Sequence, residues 1–253
     1  VELLRAVGLI AARKQARLVY LSSSAVYGEV EKGKANETSA LRPLNSYGIH
    51  KVNCEIICNS MEQTHGLRVN LLRLSNPFGI HQITDNPESL ISKAIANASA
   101  TRSTTIIGDG QQIRDFFNVA LLSKALQQII LEDSECPPVL NLCSGFGQSV
   151  NQIVGAIYSY FGHTPQKQFL GRTANEVRRC VLDTEKLDFL VPRGDINHNF
   201  PDWLDKSELK DKLARRDGMF NTLQCAVDKV IFKLGRTNFF CQIIKIIKLF
   251  DLI

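Results

Sequence analysis

Residues 17–24 read RLVYLSSS and residues 46–51 read SYGIHK, and these two stretches decide the fold. The first is a short apolar run that ends in three serines, which predicts a strand buried on both faces. In the second, Tyr47 and Lys51 stand four residues apart, and residues with this spacing share one face of a helix. Ligands bind at the carboxyl ends of the strands in open parallel sheets. We therefore expect the serines, the phenol and the ammonium to meet at such an edge and to support proton transfer there.

Helix-like and strand-like segments alternate along the first part of the chain. Apolar runs resembling the first strand, and shorter β-like stretches, occupy 69–74, 104–107, 116–119 and 139–142. Helical patterns fill the intervals at 1–14, 46–63, 87–100, 121–131 and 150–161. We expect Ser149 to cap the last of these helices, and the segment NPFG at 76–79 to break the second strand. The alternation predicts an α/β protein with a parallel sheet.

The composition bounds the possible functions. The 253 residues are 44% hydrophobic and 22% charged, as in an ordinary globular protein. A net charge of +5 favours an anionic ligand and does not indicate nucleic acid. No apolar run approaches roughly 18 residues, so no transmembrane segment is expected. Seven scattered cysteines predict reduced thiols in a cytoplasmic protein, and Cys54 and Cys58 lack the second pair that a metal site would need.

Residues 205–253 differ in character from the rest of the chain, which places a domain boundary after residue 204. Residues 205–218 are densely charged, and the remainder mixes apolar and basic residues, ending in IIKIIKLF at 243–250. This pattern fits an amphipathic helix on a partner or a membrane surface. It also fits a terminal helix that covers part of the core, or a poorly ordered tail, and we prefer these two interpretations.

Six segments in one order resemble the extended short-chain dehydrogenase/reductase family, specifically its nucleotide-sugar epimerase/dehydratase group. The segments lie at 21–28 (LSSSAVYG), 36–44, 46–51, 73–79 (RLSNPFG), 108–116, and 141–145 together with 172–179. One Tyr-x-x-x-Lys would be a weak signal, whereas six segments with sensible spacing are a strong one. The resemblance implies an incomplete Rossmann-like, doubly wound parallel sheet in residues 1–204. It also implies a small C-terminal α/β substrate-binding region, mainly at 76–118 and 143–190.

The resemblance also implies roles for the residues of the first two segments. Tyr47 would take the proton of a sugar hydroxyl as hydride leaves for NAD. Lys51 would stabilise the phenolate and hold the nicotinamide ribose. Ser23 would bridge the substrate hydroxyl and Tyr47, with Ser24 as the competing candidate for that hydroxyl. Ser22, Tyr47 and Lys51 would contact the cofactor, which is NAD, with NADP as the alternative.

By the same resemblance, the substrate is a nucleotide-diphosphate sugar. Ser24 would contact the sugar, while Asn76 and Arg114 would contact the diphosphate. Arg172 or Arg178 would supply a further contact. The helices at 1–14 and 46–63 resemble the pair through which the family forms dimers, so we expect a homodimer.

Two departures from the family pattern narrow the function. The chain has no glycine-rich strand–turn–helix fingerprint for a dinucleotide, and this predicts a fragment or a truncated product. The family's dehydratases and decarboxylases carry acidic residues after the catalytic hydroxyl, where this chain has Ser24 and Ala25. Dehydration and decarboxylation are therefore disfavoured. A 4-epimerase, most simply of a UDP-sugar, is the expected function. The alternatives are a 4-keto reductase and a non-catalytic remnant.

Overall fold

A computed structural model describes residues 1–79, 89–100, 102–131, 136–171, 175–191, 199–207, 209–210 and 213. The chain divides into two compact units, Val1–Ser207 and Glu208–Ile253. All the helices and strands named below belong to the first unit. The apolar and basic segment at 243–250, for which an amphipathic helix was one prediction, lies outside the described residues. None of the helices in the described part of the chain has the length and apolar character needed to cross a membrane.

Helices and strands alternate along the first unit, as the sequence pattern predicts. In chain order they are α1 (Glu2–Arg13), β1 (Arg17–Ser23), α2 (Ser46–His65), β2 (Arg68–Leu74), β3 (Asn76–Phe78), α3 (Leu90–Ser99), β4 (Thr104–Ile107), β5 (Ile113–Asn118), α4 (Ala120–Leu131), β6 (Val139–Leu142), β7 (Gly147–Ser149), α5 (Val150–Tyr160), β8 (Lys167–Leu170), β9 (Arg179–Cys180), α6 (Glu185–Leu190) and α7 (Phe200–Lys206). A short 3₁₀-helix, Ser24–Val26, directly follows β1.

The main sheet consists of β1, β2 and β6 in that order, all parallel. Ser22 of β1 lies opposite Arg73 of β2, and Arg73 lies opposite Asn141 of β6. The three strands therefore end at one edge, and the serine run lies at that edge. The predicted parallel α/β sheet is confirmed.

Helices cover both faces of this sheet because successive strand residues point to opposite sides. Tyr20 and Leu71 contribute to one cluster, together with Cys54, Cys58 and Met61 of α2. Leu72 and Leu140 contribute to the other, together with Leu121, Ala125 and Ile129 of α4 and Leu187 of α6. The arrangement is the doubly wound, Rossmann-like one that the resemblance implies.

The segment expected only to break the second strand also forms a strand of its own. Asn76–Phe78 pairs in parallel with β5, with Asn76 opposite Phe116. Proline has no N–H for a ladder, and β3 lies at the edge of its sheet, where proline is tolerated. Two other strands that pair with β5 were not predicted. They are β7, which is antiparallel to β5, and β9, which is parallel to it. The strand β8, which pairs with β4, was also missed.

Local caps fix where the helices begin. The Ser149 side chain accepts a hydrogen bond from the backbone N–H of Gln152, and the Gln152 side-chain oxygen accepts one from the backbone N–H of Ser149, which confirms the predicted cap of α5. The Asn45 side chain accepts a hydrogen bond from the backbone N–H of Gly48 at 2.8 Å and starts α2. Tyr47 is thereby held in the first turn of α2.

Candidate active site

The three serines at the end of β1 have different surroundings. Ser22 is buried, and its hydroxyl donates a hydrogen bond to Oε1 of Glu55 at 2.5 Å. Ser23 and Ser24 are half-buried, and Oγ of Ser23 accepts a hydrogen bond from the backbone N–H of Ala25 at 3.2 Å. The Ser22 side chain therefore faces the core, and Ser23 and Ser24 are the serines whose hydroxyls lie nearer the surface.

Tyr47 and Lys51 lie together near the start of α2. Tyr47 is 49% exposed, and Nζ of Lys51 lies 5.5 Å from the centre of its ring. The Lys51 ammonium also donates a hydrogen bond to the carbonyl oxygen of Leu21 at 2.9 Å and lies 5.3 Å from the ring centre of Tyr20. Burial lowers the pKa of Lys51. The ammonium thus joins α2 to β1 immediately before the serines, beside an accessible phenol.

Close packing brings the first turn of α2 against the chain that follows Ser23. A Cβ atom on Gly48 would lie 2.6 Å from the carbonyl oxygen of Ala25 and 2.9 Å from Cβ of Pro43. Only glycine allows this approach without a shift of the backbone. Tyr47, one residue before Gly48, is held beside the turn that contains Ser24 and Ala25.

A buried ion pair, which sequence reasoning missed, lies beneath these residues. Arg73 donates from Nη2 to Oε2 of Glu55 at 2.7 Å and from Nε to Oε1 at 3.1 Å. Both side chains are nearly inaccessible, with 6% and 3% of their surface exposed. The contact is bidentate, so the guanidinium fixes the plane of the carboxylate. Glu55 follows Lys51 by four residues, and this continuation of the Tyr47 and Lys51 spacing is the signal that could have found it.

The ion pair continues into a wider network of buried polar groups. Nη1 of Arg73 donates to the Tyr27 hydroxyl at 2.9 Å and to the carbonyl oxygen of Glu37 at 3.0 Å. The Tyr27 hydroxyl donates to Oδ1 of Asn141 at 2.7 Å, and the backbone N–H of Asn141 donates to Oε1 of Glu37 at 2.9 Å. Burial raises the pKa of Tyr27 to about 12, although the neighbouring Arg73 opposes this. Tyr27 therefore stays protonated and acts as a structural donor.

Asn76 and Arg114 lie on two paired strands, β3 and β5. Nδ2 of Asn76 donates to the carbonyl oxygen of Asp115 at 3.0 Å. Arg114 is half-buried, and its Nη1 donates to the carbonyl oxygen of Ile113 at 3.0 Å. Burial lowers the pKa of Arg114, and no carboxylate among the described residues forms an ion pair with it. A guanidinium in such surroundings can bind an anionic ligand.

Asp115 organises the loop after β6 next to this arginine. It is fully buried, and its carboxylate accepts hydrogen bonds from the backbone N–H and the hydroxyl of Ser144, both at 2.8 Å. It also accepts from the backbone N–H of Gly145 at 3.0 Å and from the Ser75 hydroxyl at 3.2 Å. Burial raises its pKa, while these hydrogen bonds oppose the rise. One side chain of β5 thus links the residues that follow β2 and β6.

The remaining predicted arginine contacts have separate outcomes. Arg172 lies outside the described residues. Arg178, the alternative, is exposed and forms an ion pair with Asp109, with Nη1 to Oδ2 at 2.9 Å. An anionic ligand at Arg178 would therefore compete with a carboxylate that already binds there.

A sequence profile described as the NAD dependent epimerase/dehydratase family matches residues 2–143. The chain belongs to this family. The match covers the strand end with its serines, the whole of α2 and the strands that carry Arg73, Asn76 and Arg114. The resemblance that the six sequence segments indicate is therefore confirmed.

Curated relatives and solved structures agree with the family assignment. The chain is 29% identical over 173 residues to the "Uncharacterized UDP-glucose epimerase YtcB" of Bacillus subtilis, covering 68% of this chain and 54% of that protein. It is 30% identical over 171 residues to the "Low-salt glycan biosynthesis protein Agl12" of Haloferax volcanii, covering 67% and 54%. The chain thus spans about half the length of the curated relatives it matches.

The fold also matches a solved structure. The UDP-glucuronic acid 4-epimerase of Bacillus cereus, in complex with UDP-glucuronic acid and NAD, superposes with a TM-score of 0.74. The superposition covers 84% of this chain and 67% of that one, at 20% sequence identity. At this identity the likeness establishes the Rossmann-like fold alone.

Proposed function

We propose that the protein is an NAD-dependent 4-epimerase of nucleotide-diphosphate sugars, with UDP-sugars as the substrate class. The observation that carries the proposal is the placement of an accessible Tyr47 beside Lys51, on a helix packed against the serine end of β1. The family membership supports it, as do curated relatives whose names include UDP-glucose epimerase.

Tyr47 is the proposed general base for the hydroxyl on the reacting sugar carbon. Tyr47 lies in the first turn of α2 and is 49% exposed, so a ligand can reach this side chain. Lys51 places a positive charge 5.5 Å from the centre of the Tyr47 ring. Ser23 is the proposed hydrogen-bond partner of the same sugar hydroxyl, and Ser24 is the competing candidate. Together these groups remove a proton in one direction and return it in the other.

NAD is the proposed cofactor, and the described residues fit its nicotinamide end. Lys51 uses one of its three ammonium donors on Leu21 and retains donors that suit ribose hydroxyls. Ser22 is also proposed for the cofactor, and its hydroxyl is engaged by Glu55. When bound, NAD would accept a hydride from the sugar and return it. The sequence holds no glycine-rich cradle for the pyrophosphate, and NADP is the alternative cofactor.

The substrate diphosphate is assigned to Arg114 and Asn76. Arg114 is half-buried without an ion pair among the described carboxylates, and a guanidinium is suited to two-point phosphate recognition. Asn76 keeps its side-chain oxygen and one amide hydrogen after its bond to Asp115. Arg172 is retained as a further proposed contact.

Ala25 favours epimerisation over elimination chemistry. Dehydration of the sugar needs a second acid and base next to the serine, and a methyl side chain at residue 25 supplies neither. The 4-keto reductase needs the same groups as the epimerase. It differs in requiring a reductant in stoichiometric amounts.

The decisive experiment supplies the purified protein with UDP-glucose and NAD, with no added reductant, and follows UDP-galactose by NMR. We expect interconversion of the two sugars. Product that forms only with stoichiometric NADH or NADPH would identify a reductase, and no product under either condition would remove both activities. Tyr47→Phe should abolish turnover, whereas Tyr160→Phe, at the end of helix α5, should retain it. Wild-type turnover in Tyr47→Phe would overturn the catalytic assignment.

We also propose a homodimer through α1 and α2. Leu3 and Ile10 are exposed on α1, and Ile49 and Ile56 are exposed on α2, each pair seven residues apart and hence on one helix face. Two adjacent helices with apolar outer faces suit burial against a second copy. Ile56→Lys should convert a dimer to a monomer in light scattering, whereas a wild-type monomer at micromolar concentration would contradict the proposal.

A further inference from the structure

A stripe of three polar residues runs along one side of α2 from the accessible site into the core. Tyr47, Lys51 and Glu55 follow one another at intervals of four residues, and the exposed fraction falls from 49% at Tyr47 to 2% at Glu55. Lys51 binds the carbonyl group of Leu21, and Glu55 binds the hydroxyl of Ser22. The stripe therefore attaches α2 to two consecutive residues of β1, directly before Ser23.

The inner end of the stripe is held by a row of polar residues across the main sheet. Ser22, Arg73 and Asn141 are register partners on β1, β2 and β6, and all three are buried. Arg73 binds both oxygens of Glu55, and Tyr27 connects Arg73 to Asn141. The carboxylate is thus fixed by the sheet itself, without any group of the substrate.

The chemistry of this network fits orientation better than stabilisation. A buried ion pair gains little net stability, because the loss of hydration offsets the attraction between the charges. A bidentate contact, in contrast, defines both the position and the plane of the carboxylate. That carboxylate sets the position of the Ser22 hydroxyl through their hydrogen bond. The next residue along the strand is the proposed catalytic Ser23.

We propose that Glu55 is a positioning residue, which holds Ser22 and thereby sets Ser23 against Tyr47 for proton transfer. The inference rests on the proposed function, and it adds a second level to the site. The residues that touch the sugar lie at the surface edge, and the Glu55 network below them fixes their spacing. Glu55 exchanges no proton with the substrate.

Three variants test this inference. Glu55→Gln keeps the shape of the side chain but removes its charge and one acceptor. Ser22→Ala removes only the hydroxyl and leaves the bond between Arg73 and Glu55, so it serves if Glu55→Gln does not fold. Thr104→Val is the matched control, because it removes another buried hydroxyl. Thr104 lies in β4 of the small β4–β8 sheet, and its hydroxyl forms a hydrogen bond of 2.8 Å with the Tyr158 hydroxyl. Melting temperatures, kcat and KM are measured for all three in the epimerase assay.

We expect Glu55→Gln to lower kcat by about 10- to 100-fold with KM nearly unchanged, because a small displacement of reacting groups affects the chemical step most. Ser22→Ala should lower kcat in the same manner by a smaller factor. Thr104→Val should lower the melting temperature and leave kcat at the wild-type value. If Glu55→Gln and Ser22→Ala both fold and both have the same kcat as Thr104→Val, the positioning role is wrong.

A second measurement separates this inference from the proposed function. If the wild-type protein shows no turnover, the proposed function fails, and amide hydrogen exchange still tests the positioning role. Glu55→Gln and Ser22→Ala should accelerate exchange at residues 22–27 and 45–51 relative to wild type. Thr104→Val should leave those segments as they are. Equal exchange at these segments in all three variants would overturn the inference.

Discussion

Replacing Gly48 by alanine tests directly whether the close packing of α2 sets the geometry of the site. The added Cβ would lie 2.6 Å from the carbonyl oxygen of Ala25 and 2.9 Å from Cβ of Pro43. Non-bonded carbon and oxygen atoms pack at about 3.5 Å, so the first turn of α2 has to move away by ~1 Å. Because Ala25 lies two residues after Ser23, this movement separates Tyr47 from Ser23.

Two opposing contributions determine the stability of this variant. Alanine is favoured over glycine in a helix by up to about 1 kcal/mol. Overpacking against a backbone carbonyl costs about 1–3 kcal/mol. The free energy of unfolding should therefore fall by no more than about 2 kcal/mol. A displacement of ~1 Å at reacting groups costs about 100-fold in rate, and activity should fall much more than stability.

The assay measures kcat for epimerisation together with the free energy of unfolding in urea. Gly155→Ala is the matched control, because Gly155 also lies within a helix, α5, and a Cβ there meets no atom within 4 Å. That variant should gain up to about 1 kcal/mol and keep its activity. If Gly48→Ala retains kcat within about twofold of Gly155→Ala, close packing at Gly48 does not position Tyr47.

Three further perturbations test other parts of the structure. Burial raises the pKa of Cys180 to about 11 and that of Cys58 to about 12, so both thiols stay protonated in the folded state at pH values where the unfolded chain ionises. The stability that this preference contributes is fully present below about pH 9 and is lost as pH rises to about 11 for Cys180 and about 12 for Cys58. Urea unfolding at a series of pH values from about 8 to 11 measures the loss, and Cys180→Ala should flatten the curve. Asp115→Asn should lower the free energy of unfolding by about 1–3 kcal/mol, since an amide hydrogen would face a buried backbone N–H; unchanged urea midpoints would contradict the described hydrogen bonds. Gly28→Ala should greatly reduce the yield of folded protein, because φ is +68° and the new Cβ would lie 1.9 Å from a backbone carbonyl, whereas Gly33→Ala, with φ of +65° and no atom within 4 Å, should cost only about 1–2 kcal/mol.

The long elements of the fold could be predicted because their signals are local. The apolar runs that form β2 and β6 are short and bounded by polar residues. The Ser149 cap involves only residues that are close in sequence. The missed strands β7 and β9 have 3 and 2 residues, and each exists by pairing with β5. Strands this short have no periodicity of their own, so only the tertiary partner reveals them.

The geometry of the candidate site was predictable where neighbouring turns of one helix form it, and was missed where residues distant in sequence meet. The proximity of Tyr47 and Lys51 follows from their spacing of four residues, and their proposed roles follow from the family resemblance. A glutamate on a helix is ordinarily solvated, so the burial of Glu55 depends on Arg73, 18 residues away on a strand. The pairing of Arg178 with Asp109, 69 residues apart, was hidden for the same reason.

One row of the main sheet consists of buried polar side chains. This row lies one residue before Ser23, the proposed catalytic serine. Ser22, Arg73 and Asn141 occupy one row across all three strands, and each forms hydrogen bonds to neighbouring protein groups. Such a row forgoes the stabilisation that three buried apolar side chains would contribute. Departures of this kind from the local pattern occur in proteins chiefly at functional sites. The position of the row, rather than its stability, is therefore what links the fold to the proposed proton transfer: it fixes the last inward residue of β1, and Ser23 is the first residue beyond it.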